Sequence, residues 1–143
     1  MSSVLEIHID GASKGNPGPA SVGVIIDQDG KRIAEVVKSI GEATNNVAEY
    51  SALIVALQEA EKLKAEHLRI FTDSELLYNK LKGQYKIKSD NLKGLYQQAN
   101  ELAKAFKKIE LKQVPREKNK EADKLASSIL KKEQAKVVAP LFE

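Results

Sequence analysis

Leu5, Ile7 and Ile9 alternate with Glu6, His8 and Asp10 near the start of the chain, the period-two pattern of a strand with one face in a core. The spacing predicts a strand that ends at Asp10, followed at once by a turn rich in Gly and Pro over residues 11–19. A continuous apolar run at 20–26 (ASVGVII) predicts a second, well-buried strand. Asp27-Gln28-Asp29-Gly30 is a hairpin turn, and 31–40 (KRIAEVVKSI) returns as a third strand. The first three elements therefore form an antiparallel meander.

From 46 to 63 the period lengthens to that of a helix. Tyr50, Leu53, Ile54, Leu57, Ala60 and Leu63 make one stripe, with Thr44 or Asn45 as N-cap. Glu49 falls in the first turn at the edge of that stripe, where a helix N-terminus favours negative charge. A fourth strand, 67–72 (HLRIFT), leads into Asp73. The intervening helix lets this strand lie parallel to the first by a right-handed crossover. Asp10 and Asp73 then share the C-terminal edge of adjacent parallel strands, where open α/β sheets place ligand sites.

Residues 74–81 begin a helix that Gly83 interrupts, and 90–108 form another, carrying Leu92, Leu95, Tyr96, Ala99, Leu102 and Phe106. A fifth strand, 109–114, ends at Pro115. The last helix, 118–132, turns Ala122, Leu125, Ala126 and Ile129 inward and leaves Asp123 on the flank. The expected organisation is one domain over 1–132. A tail, 133–143, carries Val137, Val138, Leu141 and Phe142 and either docks on the body or stays mobile.

Composition narrows the chemistry. A chain of 143 residues can bury a proper core as one domain. It has no apolar run long enough for a membrane helix and no signal-peptide pattern. The absence of cysteine excludes disulfides and thiolate metal sites and fits a reducing, cytoplasmic setting. His8 and His67 are the only histidines, so a multi-histidine metal centre is excluded too. A net charge of +3 permits a nucleic-acid partner without demanding one.

Each acid has an ordinary structural explanation when taken singly. Asp10-Gly11 can be a turn, Thr72-Asp73-Ser74-Glu75 a capping box, Glu49 a first-turn charge and Asp123 an exposed helix acid. Together they converge on one sheet edge. Two unit charges 4 Å apart repel by about 4 kcal/mol at an effective dielectric near 20. No Lys or Arg stands next to Asp10, Glu49 or Asp73 in the chain to relieve this. Hard divalent cations would, and two of them can serve phosphodiester hydrolysis.

Four stretches resemble, in order, the motifs of type 1 ribonuclease H. They are Asp10-Gly11-Ala12-Ser13 with Asn16-Pro17-Gly18, Thr44-Asn45-Asn46-Val47-Ala48-Glu49-Tyr50, Thr72-Asp73-Ser74, and Asn119-Lys120-Glu121-Ala122-Asp123. The resemblance implies an α/β, ribonuclease H-like fold, a five-stranded mixed sheet of order 3-2-1-4-5 flanked by helices. It implies hydrolysis of the RNA strand of RNA/DNA hybrids with two Mg²⁺ or Mn²⁺ ions, leaving 3′-hydroxyl and 5′-phosphate ends. Asp10, Glu49, Asp73 and Asp123 match the metal-binding acids. Asn16, Asn45 and Asn46 match minor-groove contacts to the hybrid, and Thr44 a phosphate contact. Gly11, Ser74 and Asn119 complete the implied substrate-binding set.

Two departures from the family pattern stand out. The loop 114–119 has no histidine, and Arg116 is the candidate to supply charge near the leaving group, although a guanidinium cannot act as a base. The segment between residues 81 and 92 is short, offering only Lys82, Tyr85, Lys86 and Lys88 where some relatives carry a basic protrusion. That leaves room for double-stranded RNA as a second substrate. The expected protein acts as a monomer with no membrane partner. The rival readings are a catalytically silent hybrid-binding module and a transposase- or exonuclease-type enzyme on the same fold.

Overall fold

The computed structural model describes residues 4–83 and 90–138. Strands β1 (Val4–Ser13), β2 (Gly18–Gln28), β3 (Lys31–Ala43), β4 (His67–Thr72) and β5 (Lys108–Gln113) form one sheet of order β3-β2-β1-β4-β5. The helices are α1 (Asn45–Lys62), α2 (Glu75–Leu81), α3 (Asp90–Ala103) and α4 (Lys120–Val138), with a 3₁₀ turn at Arg116–Lys118. The meander pairs antiparallel, whereas β4 runs parallel to both β1 and β5, so the sheet is mixed as expected.

The two faces of the sheet are covered by different helices. Leu5, Ile7 and Ile9 of β1 join Val22, Val24, Ile26, Leu68 and Ile70 in a core under α1. Burying one such Leu or Ile side chain contributes about 1.5–3 kcal/mol. On the opposite face α4 lies across β2 and β1, and the Ser21 hydroxyl donates to the Ala126 carbonyl. This second cover is why 20–26 reads as a run without alternation: both faces of β2 are buried.

Helix α1 is more deeply enclosed than a single stripe implies, because α3 packs on its outer side. Ala52, Val55 and Ala56 are buried along with the predicted Tyr50, Leu53, Ile54, Leu57 and Ala60. Leu63, expected in the stripe, caps the helix and is exposed. On α4 the buried positions are Ala122, Ala126 and Leu130, while Leu125 and Ile129 are only half-buried.

Several boundaries move for non-local reasons. β1 does not stop at Asp10 but continues through Gly11 to Ser13, because its pairing with β2 extends to Ser13↔Ala20. α3 ends at Ala103 rather than 108. The chain turns there through three backbone bonds that each reach back three residues, and Lys107 N–H donates to the Glu66 carbonyl to start β5 beside β4. α4 starts at Lys120 and runs unbroken to Val138, so the expected boundary at 132 falls inside a helix. The rest of the expected tail, with Leu141 and Phe142, and the candidate contacts Tyr85, Lys86 and Lys88 lie outside the described residues. No helix among the described residues is long and apolar enough to cross a membrane.

Backbone-to-backbone packing of α4 on β2 depends on Gly23. A Cβ there would lie 2.6 Å from the Ala122 carbonyl oxygen and 2.8 Å from Ala126 N. Gly23→Ala is therefore expected to lose about 1–3 kcal/mol of stability through overpacking, lowering Tm by several degrees in a thermal melt.

Candidate active site

The three acids closest together come from three elements. Asp10 projects from β1 two residues beyond the last β1–β4 pair, His8↔Phe71, where the parallel neighbour has ended but β2 still pairs. Glu49 lies on α1 and Asp73 directly follows β4. One oxygen from each carboxylate fits in a group whose members all lie within 4.8 Å of one another. Asp123, in the first turn of α4, lines the same groove, and its charge adds to that around Asp10. All four predicted acids thus meet at one place.

Local structure holds each of them. Thr44 caps α1, its hydroxyl accepting from Val47 N–H at 3.2 Å, which places Glu49 just past the first turn rather than within it. Glu49 accepts from the backbone N–H of Gly11 and from the Ser74 hydroxyl. Only glycine permits the first of these bonds. A Cβ on Gly11 would sit 2.3 Å from the Ala48 carbonyl carbon and 2.5 Å from Glu49 N. Gly11 is therefore a close approach of strand to helix and not the turn that its Asp-Gly sequence suggests.

The capping box that offered an ordinary structural role for Asp73 does not form. Ser74, not Thr72, is the N-cap of α2, its hydroxyl accepting from Leu77 N–H at 3.1 Å. Thr72 Oγ1 instead accepts from Ser74 N–H at 3.1 Å. Asp73 is left free of capping, and its Oδ2 accepts from Asn119 Nδ2 at 3.1 Å. Asn119 itself is only 1% exposed. It is not among the residues that line the open groove, where the expected substrate contact would stand.

Gly11, Asn45, Asn46 and Ser74 do line that groove, with Arg116 at its rim. Arg116 is largely exposed, with Nη2 4.0 Å from Asp123 Oδ2. Asn16 and Thr44 are not among the residues that line it. The Asn16 Oδ1 accepts from Asn45 N–H at 2.9 Å, tying the β1–β2 turn to the start of α1. Neither histidine lines the groove: His8 stacks on Phe71 at 4.6 Å and His67 pairs with Glu110 at 2.8 Å. Ser13 and Ser127 also line it and were not singled out from the sequence. Ser127 lies four residues after Asp123 on α4, so the helical repeat alone carries it to the same side.

Crowding and burial raise the proton affinity of the acids. Burial, reinforced by Glu49, Asp73 and Asp123, pushes the Asp10 carboxyl up to about 9. Burial likewise pushes Glu49 up to about 7, opposed by the Gly11 N–H that favours its charged form. Among the described residues no Lys or Arg forms an ion pair with Asp10, Glu49 or Asp73, and Arg116 reaches only Asp123. An all-carboxylate donor set with such spacing suits hard divalent cations such as Mg²⁺ or Mn²⁺ and offers nothing to softer metals. The residues present therefore fit a divalent ion.

Comparison with known proteins gives this geometry a family. A family model described as reverse transcriptase-like matches residues 8–129. A bifunctional protein of Mycobacterium tuberculosis is 42% identical over 126 residues, 87% of this chain and 35% of its own. A solved ribonuclease H1 of Halobacterium salinarum is 38% identical with a TM-score of 0.88, covering 90% of this chain and 98% of its own. A compost-derived ribonuclease H1, solved in complex with an RNA/DNA hybrid, is 35% identical with a TM-score of 0.82, covering 87% of this chain and 94% of its own. The chain spans about a third of the length of the curated mycobacterial relatives it matches and 64% of that of the curated halobacterial ribonuclease HI. With more than four-fifths of its residues inside the matched region and a fold shared almost end to end with solved relatives, this chain belongs to the ribonuclease HI family.

Proposed function

We propose that this chain is a divalent-cation-dependent endoribonuclease that hydrolyses the RNA strand of RNA/DNA hybrids, leaving 3′-hydroxyl and 5′-phosphate ends. The observation that carries the reading is the group of three carboxylates, within 4.8 Å, at the base of an open groove on this fold. Asp10, Glu49, Asp73 and Asp123 would hold two Mg²⁺ or Mn²⁺ ions. When bound, such ions supply the Lewis acidity that activates a water and stabilises charge on the leaving oxygen.

The protein's own groups orient and select. Gly11 N–H and Ser74 Oγ fix the Glu49 carboxylate, so it need not reorganise when a phosphate approaches. Asn45 and Asn46 offer amide groups that both donate and accept, suited to reading RNA 2′-hydroxyls across a minor groove. Asn16 and Thr44 set the start of α1 and so the placement of those amides. Arg116 at the rim can meet developing negative charge on the product side, as an electrostatic partner and not as a base. A binding module without catalysis gains nothing from a buried acidic group that repels phosphate.

One observation favours a second substrate. Only residues 82–89 separate α2 from α3, too few for a long hybrid-gripping insertion. We infer looser strand selectivity, with double-stranded RNA cut more slowly than hybrid.

Labelled RNA/DNA hybrid, double-stranded RNA and double-stranded DNA, each with Mg²⁺ or Mn²⁺, test this directly. Hybrid is expected to be cut by the wild type, and Asp10→Asn to lose more than the roughly 100-fold typical of an outer-shell partner. Hybrid left intact with both metals would refute the activity. Arg116→Ala is expected to lower kcat several-fold with KM for hybrid little changed, measured in steady-state kinetics.

The raised proton affinities make a separate prediction about stability. Asp10 and Glu49 have folded-state values above the unfolded ones, so their contribution is full below about pH 4 and is lost as pH rises through about 7 and 9. In EDTA, Asp10→Asn should match the wild-type Tm at or below about pH 4 and exceed it by a growing margin as pH rises towards 9. Mg²⁺ or Mn²⁺ should raise the wild-type Tm more at the higher pH. Thermal melts across that range measure both effects.

A further inference from the structure

Asn119 occupies an unusual position for a residue whose sequence match implies a substrate contact. It is buried, and its two amide hydrogens are divided between two acceptors of different elements. Nδ2 donates to the Ile9 carbonyl of β1 at 2.9 Å and to Asp73 Oδ2 at 3.1 Å. The Ile9 carbonyl belongs to the residue immediately before Asp10. Its backbone is engaged as well: Asn119 N–H donates to the Arg116 carbonyl at 2.9 Å, and its carbonyl accepts from Asp123 N–H at 3.1 Å. One residue is thus bonded to the acid at the end of β4, to the strand segment that presents Asp10, to the first turn of α4 that presents Asp123, and to the loop that presents Arg116.

We propose that Asn119 is a positioning residue for the metal-binding acids, acting on cation affinity and never touching the substrate. The proposal rests on the reading of Asp10, Glu49, Asp73 and Asp123 as cation ligands. The physical reason lies in the repulsion among those acids. Without a cation, Asp73 lowers its energy by rotating away from Asp10 and Glu49. The Asn119 N–H opposes that rotation by holding Oδ2, at a cost already met during folding. Because the same amide is anchored on Ile9, the hold is referred to the Asp10 strand itself, so it sets the separation of two ligands on different strands. A neutral amide suits the task. It donates without adding charge, whereas a Lys or Arg there would neutralise the group and compete with the cation.

The Asn119→Leu variant keeps roughly the same volume and removes both donors without adding a charge to the acidic group. Calorimetric titration of the nucleic-acid-free full chain with Mn²⁺ is expected to show affinity about 10–100-fold weaker than wild type. Half-saturating Mn²⁺ for hybrid cleavage should rise in parallel, with KM for hybrid at saturating metal within about twofold. Asn119→Ser, smaller and neutral, gives the same reading if the leucine variant does not fold, with Tm in EDTA as the check. Mn²⁺ affinity unchanged in a folded variant would overturn the proposal, as would a raised KM with unaltered metal dependence, which would return Asn119 to the substrate. Failure of the nuclease reading shows separately, as wild type that binds Mn²⁺ yet leaves hybrid uncut.

Discussion

Three carboxylates stand within 4.8 Å of one another, and among the described residues no Lys or Arg forms an ion pair with any of the three. Water would separate such charges, so the arrangement exists only because the rest of the fold opposes their mutual repulsion. The opposition is distributed. Hydrophobic burial under α1 holds β1 and β4 in register, the Gly11 N–H and the Ser74 hydroxyl partner Glu49, and a buried amide partners Asp73. Proton uptake takes up the remainder in the absence of metal, as the raised values of Asp10 and Glu49 record. A site of this kind is unfavourable in isolation and becomes favourable on binding hard cations, so folding prepares what ligand binding completes.

Two close approaches make the arrangement geometrically possible. At Gly11 the strand comes so near α1 that no side chain fits, and that nearness delivers its N–H to Glu49. At Gly23 the sheet comes equally near α4, which lets the helix carrying Asp123 lie low over β2 and β1. The sheet is therefore gripped on both faces close to the acids. The ion pairs of Arg32 with Asp27 at 2.7 Å and with Glu121 at 2.8 Å add a tie from the β2–β3 hairpin to the first turn of α4. Being partly exposed, that tie contributes little energy by itself and serves mainly to orient the helix start.

Much of the fold was legible because its code is local. The alternation in β1 and β4, the turn at 27–30 and the helical stripe of α1 follow from neighbouring residues alone, and the topology then follows from the handedness of a crossover. The errors fell where distant partners intervene. β1 outruns Asp10 because β2 continues to pair with it, α3 stops early because β5 must start beside β4, and Leu63 stays exposed because it caps a helix instead of packing. The same holds within the site. The acids could be picked out by their type and order, but Thr72 and Ser74 exchanged the capping role that the sequence pattern implied, and Ser127 went unnoticed for lack of any distinguishing neighbour.

By itself, the amino-acid sequence determined the order and type of the elements, the absence of thiolate or multi-histidine chemistry, and the identity of the four acids available to a hard cation. These depend on residue type and on spacing along one strand or one helix. Tertiary structure alone decided that Asp10-Gly11 is a contact with α1 and not a turn, that three carboxylates stand within 4.8 Å, and that Asn119 is buried against Asp73. Those facts depend on which surfaces from distant parts of the chain cover one another. A side chain's role follows from its cover: the same asparagine is a substrate contact on an open face and a strut within a closed one.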